Sequence, residues 1–178
     1  DEVVEKARAQ VESAEGLRMA EWTIAKLPEI DGDESLLEQV FVNLFSNALK
    51  FSQARELPCI TVEAQTLGNS LEIKVIDNGA GFDPDRADGL FKPFHRLHNA
   101  HDFEGHGMGL ANVKRIVERH GGTIAAESAP QKGATFKITL PLRQLPKAFV
   151  RPPVVPAPAE APQLRPQLAS DKVQLQRM

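Results

Sequence analysis

The chain has 178 residues, 42% of them hydrophobic, and a formal net charge of -3, which fits one folded domain with an appended segment. The nearly balanced charge gives no indication of a nucleic-acid partner or of contact with an anionic membrane. Its single cysteine, Cys59, excludes an internal disulfide framework and fits a cytoplasmic protein, and no signal peptide or bilayer-spanning apolar run is visible.

The first third of the chain predicts a helix, a strand and a longer helix. Apolar residues at helical spacing indicate a helix over residues 1–14, followed by a strand over 17–26 in which Met19 and Trp22 are packing candidates. Asp33 is a suitable N-cap for a second helix that runs to about residue 52 with its apolar residues on one side.

The following elements are mostly strands. Residues 60–67 and 71–76 alternate in polarity around a Gly68-Asn69 turn, which predicts a hairpin. A helix is expected over 109–120, before a second hairpin formed by 123–128 and 134–140. This order predicts an α+β fold, a two-layer sandwich in which helices cover one face of a mixed, mostly antiparallel sheet.

The composition changes after residue 142. Residues 143–178 contain seven of the 13 prolines, six Lys or Arg and two Asp or Glu, which gives this segment a charge of about +4. Such a composition cannot bury enough apolar surface to offset the entropy of ordering. We therefore expect a domain over residues 1–142 and a Pro-rich, disordered linker or tail over 143–178.

One face of the second predicted helix carries amide side chains and a lysine. Gln39, Asn43, Asn47 and Lys50 recur every three or four residues. Amide oxygens suit Mg²⁺ that is already bound by phosphate, and an ammonium can contact a phosphate. The alternative interpretation is the solvated face of an amphipathic helix, although asparagine is unfavourable inside helices.

A carboxylate lies at the predicted end of one strand. Asp77 is followed by Gly79 and Gly81, so a flat base can approach the backbone closely while the carboxylate accepts a hydrogen bond from an exocyclic amine such as adenine N6. The alternative is a plain tight turn, which the absence of a strand pattern after Phe82 disfavours.

A glycine-rich turn precedes the helix predicted over 109–120. Gly105, Gly107 and Gly109 would leave backbone N–H groups free to bind phosphate, although neither a dinucleotide fingerprint nor a phosphate loop is present. Upstream, residues 90–98 are amphipathic and predict a lid, anchored by two phenylalanines, from which Lys92 and Arg96 can reach phosphates. The spacing of the histidines here disfavours a zinc site; they are His95, His98, His101 and His106.

In this order the motifs resemble the ATP-binding catalytic domain of bacterial sensor histidine kinases, within the gyrase–chaperone–kinase–mismatch-repair superfamily and its Bergerat-type fold. The matching blocks lie at 41–51, 77–84, 91–94, 105–110 and 133–136. The sequences of residues 94–98 and 118–122 are similar to those of phytochrome-like and PAS-linked kinases. His106 departs from the pattern, because the family more often has Thr or Ser there.

The resemblance implies ATP and Mg²⁺ as ligands and a role for each motif residue. Asn47, assisted by Asn43, would bind Mg²⁺, and Asp77 would recognise adenine N6. The other implied roles are phosphate contact for Lys50, packing near the base for Phe51, lining of the base pocket for Gly79 and Gly81, a lid hinge with phosphate contacts for Gly105, Gly107 and Gly109, and a water-mediated adenine contact for Thr135.

The resemblance also separates a kinase from a hydrolase. ATPase members carry a glutamate four residues before the Mg²⁺ asparagine, and here that position is Asn43, whose amide cannot act as a general base. The family's acceptor histidine lies on a separate dimerisation domain, and none of the five histidines here has its sequence context. We therefore expect a kinase domain that phosphorylates the dimerisation domain and, through it, a response regulator. A degenerate nucleotide-sensing or partner-docking module and an ATPase are the alternatives.

Overall fold

A computed structural model describes residues 1–14, 19–94 and 107–142 of the chain. Within these ranges the helices and strands follow the predicted order. The helices are α1 (Glu2–Ala14), α2 (Glu34–Phe51) and α3 (Gly109–Arg119), and a short 3₁₀ helix spans Pro84–Gly89. The strands are β1 (Glu21–Ile24), β2 (Cys59–Leu67), β3 (Ser70–Asp77), β4 (Thr123–Ser128) and β5 (Ala134–Pro141).

The strands form one sheet in the order β1-β2-β3-β5-β4. The β1–β2 pair is parallel and is connected through α2, whereas the pairs β2–β3, β3–β5 and β4–β5 are antiparallel. This topology confirms the mixed, mostly antiparallel sheet that the sequence predicted. It also brings β3 to the centre, where its end at Asp77 is flanked by β2 and β5.

The helices cover one face of this sheet. Alternate side chains of the two central strands are buried on that face, namely Leu71, Ile73 and Val75 of β3 and Phe136, Ile138 and Leu140 of β5. Helix α2 packs on β2 and β3 and lies between α1 and α3. Most of its apolar residues are buried, Leu44 and Phe45 completely. The predicted two-layer α+β fold is therefore confirmed.

A buried histidine joins the N-terminal end of α2 to the C-terminal end of α3. Asp33 caps α2 as predicted, because its side chain accepts a hydrogen bond from the Leu36 N–H at 3.1 Å. The Asp33 N–H in turn donates to His120 Nε2 at 3.0 Å, and His120 Nδ1 lies 2.8 Å from the Ile116 carbonyl oxygen. The neutral ring is therefore protonated on Nδ1, and both of its nitrogens are satisfied.

The predicted strand over 17–26 is too long. Residues 17 and 18 lie outside the described residues, and β1 itself has four residues, because it is an edge strand that pairs with β2 over four positions. Met19 is 84% exposed, so the expectation that it packs in the core is wrong, while Trp22 packs against the core. No described helix is long and apolar enough to cross a membrane. The predicted tail, 143–178, lies outside the described residues.

The aromatic contact between α2 and β1 generates a test of the core. Phe45 is fully buried and meets the Trp22 ring edge-on with centroids 5.0 Å apart. We expect Phe45→Ala to lower the free energy of unfolding by about 3–5 kcal/mol, because it leaves a cavity at the centre of the helical layer. Urea unfolding followed by far-UV circular dichroism measures this. Phe94→Ala is the matched control, since Phe94 is 76% exposed; equal losses in both variants would contradict the packing described.

Candidate functional site

The end of β3 carries a buried carboxylate whose two oxygens differ. Asp77 is 6% exposed, and its Oδ1 accepts hydrogen bonds from the Gly79 N–H at 2.8 Å and the Ala134 N–H at 3.2 Å. Its Oδ2 accepts no hydrogen bond from the residues that the structure describes. Burial raises the pKa of Asp77, and the two backbone hydrogen bonds oppose that rise. One oxygen is thus fixed by the protein, and the other is available to a ligand.

Glycines allow the backbone to close tightly around this carboxylate. A Cβ at Gly79 would lie 2.8 Å from both Asp77 Oδ1 and the Phe51 carbonyl oxygen. Gly133 has a φ of +79°, and a Cβ there would collide with the Asp77 carbonyl oxygen. These two approaches, rather than turn formation alone, require glycine.

Three separate segments meet beside Asp77. The Ala80 N–H donates to the Phe51 carbonyl oxygen at 2.9 Å, and the Gln131 N–H donates to the Ala80 carbonyl oxygen. The Ser128 hydroxyl donates to the Gly133 carbonyl oxygen at 2.6 Å. The C-terminal end of α2, the loop after β3 and the β4–β5 turn are therefore linked by hydrogen bonds.

The amide row on α2 faces the beginning of α3. Asn43 Nδ2 donates to the Gln39 carbonyl oxygen at 2.8 Å, which turns Oδ1 outward. A Cβ at Gly109 would lie 2.7 Å from that Oδ1, so a larger residue there would require the Asn43 side chain to move. Asn47 lies one turn further on, half-buried, and Lys50 Nζ lies 5.0 Å from the centre of the Phe51 ring. Of the predicted row of polar groups, Asn43 thus meets the beginning of α3.

The N-terminal end of α3 has no side-chain cap. Helix α3 begins at Gly109, and its N-cap residue, Met108, makes no capping hydrogen bond with its side chain. Gly107 has a φ of +69°, and its carbonyl oxygen accepts a hydrogen bond from the Phe94 N–H at 3.1 Å. The first N–H groups of a helix without such a cap suit an anionic ligand.

The structure shows two groups of predicted site residues, one around the loop after β3 and one at the beginning of α3, and leaves other predicted residues outside both. The α2 residues adjoin the glycine loop at Phe51 and the beginning of α3 at Asn43. Lys92 is exposed, and its contact with phosphate stays a prediction. Arg96 and Gly105 lie outside the described residues. Of the two phenylalanines expected to anchor the lid, Phe91 packs against the core, whereas the exposure of Phe94 shows that the expectation is wrong there.

Thr135 lies on the face of the sheet opposite to the Asp77 carboxylate. It pairs directly with Ile76, and neighbouring residues of a strand point to opposite faces. The residue of β5 that shares the face of Asp77 is Ala134, which also supplies a backbone N–H to Oδ1. The Thr135 side chain therefore does not lie beside the carboxylate, because side chains alternate with a period of two, and its water-mediated contact with adenine stays a prediction.

Two further residues of the site carried no recognisable signal in the sequence. Ser128 accepts a hydrogen bond from the Phe82 N–H at 2.9 Å, and the Arg55 guanidinium contacts carbonyl oxygens of both loops around Asp77. Both residues act across long sequence separations, so neither periodicity nor a local motif identifies them.

The donor set fits a cation that phosphate already coordinates, rather than a site built from protein ligands alone. Within residues 1–14, 19–94 and 107–142, no group of three His, Cys, Asp or Glu side chains is arranged to hold a metal ion. The outward Oδ1 of Asn43 and the neighbouring Asn47 provide neutral oxygen ligands. Such ligands suit Mg²⁺, which is commonly bound by few protein groups together with phosphates and water.

Residues 32–144 match the family described as "Histidine kinase-, DNA gyrase B-, and HSP90-like ATPase". The chain is 37% identical over 141 residues to the phytochrome-like protein Cph1 of Synechocystis, a match that covers 79% of this chain and 19% of that protein. The chain therefore spans about a fifth of this relative's length.

Solved structures agree with this match. The mycobacterial sensor histidine kinase MprB aligns with a TM-score of 0.68 and 26% identity, over 81% of this chain and 96% of that one. Full-length ShkA, crystallised in complex with AMPPNP, aligns with a TM-score of 0.61 and 27% identity, over 78% of this chain and 30% of that one.

The buried carboxylate leads to a pH-dependent prediction. In Asp77→Asn both backbone hydrogen bonds to Oδ1 can remain, while the buried charge is lost. We therefore expect the free energy of unfolding of the variant at neutral pH to equal or exceed that of the wild type. Because the folded pKa of Asp77 is raised, the wild type should lose stability relative to the variant as pH increases from about 4 through that raised pKa. Urea titrations across this pH range measure the difference in the free energy of unfolding. If the stability of the variant relative to the wild type decreased as pH increased, the raised pKa of Asp77 would be contradicted.

Proposed function

This chain belongs to the family of histidine kinase-, DNA gyrase B- and HSP90-like ATPases, and we propose that it is the catalytic domain of a two-component sensor histidine kinase. It holds ATP with Mg²⁺ and presents the γ-phosphate to a histidine on a separate dimerisation domain of the same protein. The observation that carries this proposal is the buried Asp77, with one oxygen fixed by two backbone N–H groups and the other available, beside the amide row of α2.

Asp77 recognises the base. Its Oδ2 accepts a hydrogen bond from the adenine N6 amine, whereas guanine presents a carbonyl oxygen at the same position and would be repelled by the carboxylate. Gly79 and Gly81 line the pocket, and because the places of their missing side chains are filled by neighbouring protein atoms, glycine lets the surrounding segments close around it; Phe51 packs near the base. The tight packing of Gly79 against Phe51 supports this arrangement.

The phosphates lie between α2 and the N-terminal end of α3. Asn47 and Asn43 hold the magnesium ion through their amide oxygens, and Lys50 contacts a phosphate. The backbone N–H groups beside Gly107 and Gly109 bind phosphate oxygens; we extend this role to Gly105, and phosphate contact to Lys92 and Arg96, from the motif alone. When bound, the ion neutralises phosphate charge and orients the γ-phosphate.

The site transfers phosphate to a protein rather than to water. Asn43 occupies the position of the catalytic base in the family's ATPases, and an amide cannot accept the proton of an attacking water. Phosphoryl transfer needs mainly positioning and charge stabilisation, so the acceptor domain supplies the nucleophile. A response regulator would then receive the phosphate. We propose a cytoplasmic location for the reaction, because ATP is supplied there.

The first test measures transfer directly. The chain is mixed with labelled ATP, Mg²⁺ and a dimerisation domain that carries an acceptor histidine. We expect acid-labile label on the acceptor and, without it, phosphate release far slower than the roughly 1–10³ per second of ordinary enzymes. Tight ATP binding without transfer would instead favour a nucleotide-sensing or partner-docking module, and rapid phosphate release would favour an ATPase.

The second test concerns the metal ligand. We expect Asn47→Ala to weaken Mg²⁺-dependent ATP binding about tenfold or more and to leave the weaker binding measured with EDTA nearly unchanged, because the lost amide acts through the ion. Isothermal titration calorimetry with and without Mg²⁺ measures both values. Asn69→Ala is the matched control, since Asn69 lies in the β2–β3 turn at the other end of β3. Equal affinity in all three proteins would rule out the role of Asn47.

A further inference from the structure

We propose that Arg55 is a positioning residue for base recognition, which holds the two loops around Asp77 in the geometry that selects adenine. The inference rests on the proposed nucleotide-binding function and assigns a new role to a residue outside the sequence motifs. Arg55 lies in the turn that follows α2, where its N–H donates to the Ser52 carbonyl oxygen at 3.0 Å.

The guanidinium of Arg55 binds three backbone carbonyl oxygens from two separate segments. Nε donates to the carbonyl oxygen of Asn78 at 2.6 Å, and Nη2 donates to those of Gly79 at 2.9 Å and Gln131 at 2.6 Å. The first two belong to the loop after β3, and the third belongs to the β4–β5 turn. Arg55 therefore fixes the position of one loop relative to the other.

These are the loops that supply the hydrogen bonds of Asp77. The Gly79 N–H, which donates to Asp77 Oδ1, belongs to the residue whose carbonyl oxygen Arg55 holds. The Ala134 N–H lies at the end of the turn that Arg55 holds at Gln131. The Arg55 side chain thus holds both segments that carry the donors, in addition to the hydrogen bonds of Gln131 and Ser128. Among the described residues it makes no hydrogen bond to either carboxylate oxygen.

Geometry explains why the residue is an arginine. A guanidinium presents several N–H groups in a rigid, planar fork, so it can bind carbonyl oxygens in different directions at once. A lysine keeps the charge, but its ammonium is a compact group on a flexible stem and cannot reproduce the fork. Hydrogen bonds to a charged group are also stronger than neutral ones, which suits a contact that must set the position of two loops.

The experiment compares adenine and guanine nucleotides. ADP and GDP affinities are measured for the wild type and for Arg55→Met, Arg55→Lys and Arg119→Met, in the presence of Mg²⁺, by displacement of a fluorescent ATP analogue. The urea midpoint of each protein is recorded in parallel. Arg119→Met is the matched control, because Arg119 is an exposed arginine in the last turn of α3.

We expect Arg55→Met to raise the Kd for ADP about tenfold or more and the Kd for GDP less than about twofold. The preference for ADP over GDP, measured as the ratio of the two Kd values, should therefore decrease. Arg55→Lys should give an intermediate increase, and Arg119→Met should behave as the wild type. If Arg55→Met does not fold, the same comparison in Arg55→Lys decides.

Two results would overturn the inference: an unchanged Kd for ADP in folded Arg55 variants, whatever their urea midpoints, or an equal loss of affinity for both nucleotides. Failure of the wild type itself to bind ADP would instead reject the proposed function, so the two failures are distinguishable.

Discussion

The site depends on how the chain keeps a carboxylate buried at the end of its central strand. Removal of water from a carboxylate is costly, and two backbone N–H groups offset part of that cost at Asp77. One donor, Gly79, follows the carboxylate along the chain, and the other, Ala134, comes from the neighbouring strand. The carboxylate keeps its orientation only while β3 and β5 remain in register, so the geometry of the site depends on the pairing of the sheet.

The same constraint explains why the site is built largely from backbone. At Gly79, Gly109 and Gly133 an added Cβ would contact another group at less than normal van der Waals distance. Glycine-rich loops need additional restraint to keep one conformation, since glycine has the largest conformational freedom. Hydrogen bonds from Ser128 and Arg55 supply that restraint from outside the loops.

The sequence predicted what depends on local pattern and missed what depends on distant contacts. Helix α2 and its cap at Asp33 were predictable, because apolar spacing and a capping side chain both act within a few residues. The length of β1 was not predictable in this way, since β1 ends at Ile24 although its partner β2 continues to Leu67. For Thr135, the motif gives a position along the chain but not the face of the sheet to which the side chain points. Arg55 binds residues more than twenty positions away, and no local rule identifies such a contact.

The two ends of α3 are held very differently. His120 binds the backbone of Asp33 at the C-terminal end of the helix, while the N-terminal end at Gly109 rests against the amide of Asn43 without a side-chain cap. Between these ends, Val113, Ile116 and Val117 bury the helix against the core, whereas its first turn lacks a capping side chain. Loss of the His120 ring would leave the Asp33 N–H and the Ile116 carbonyl oxygen without their partner, so the start of α2 and the end of α3 would loosen together.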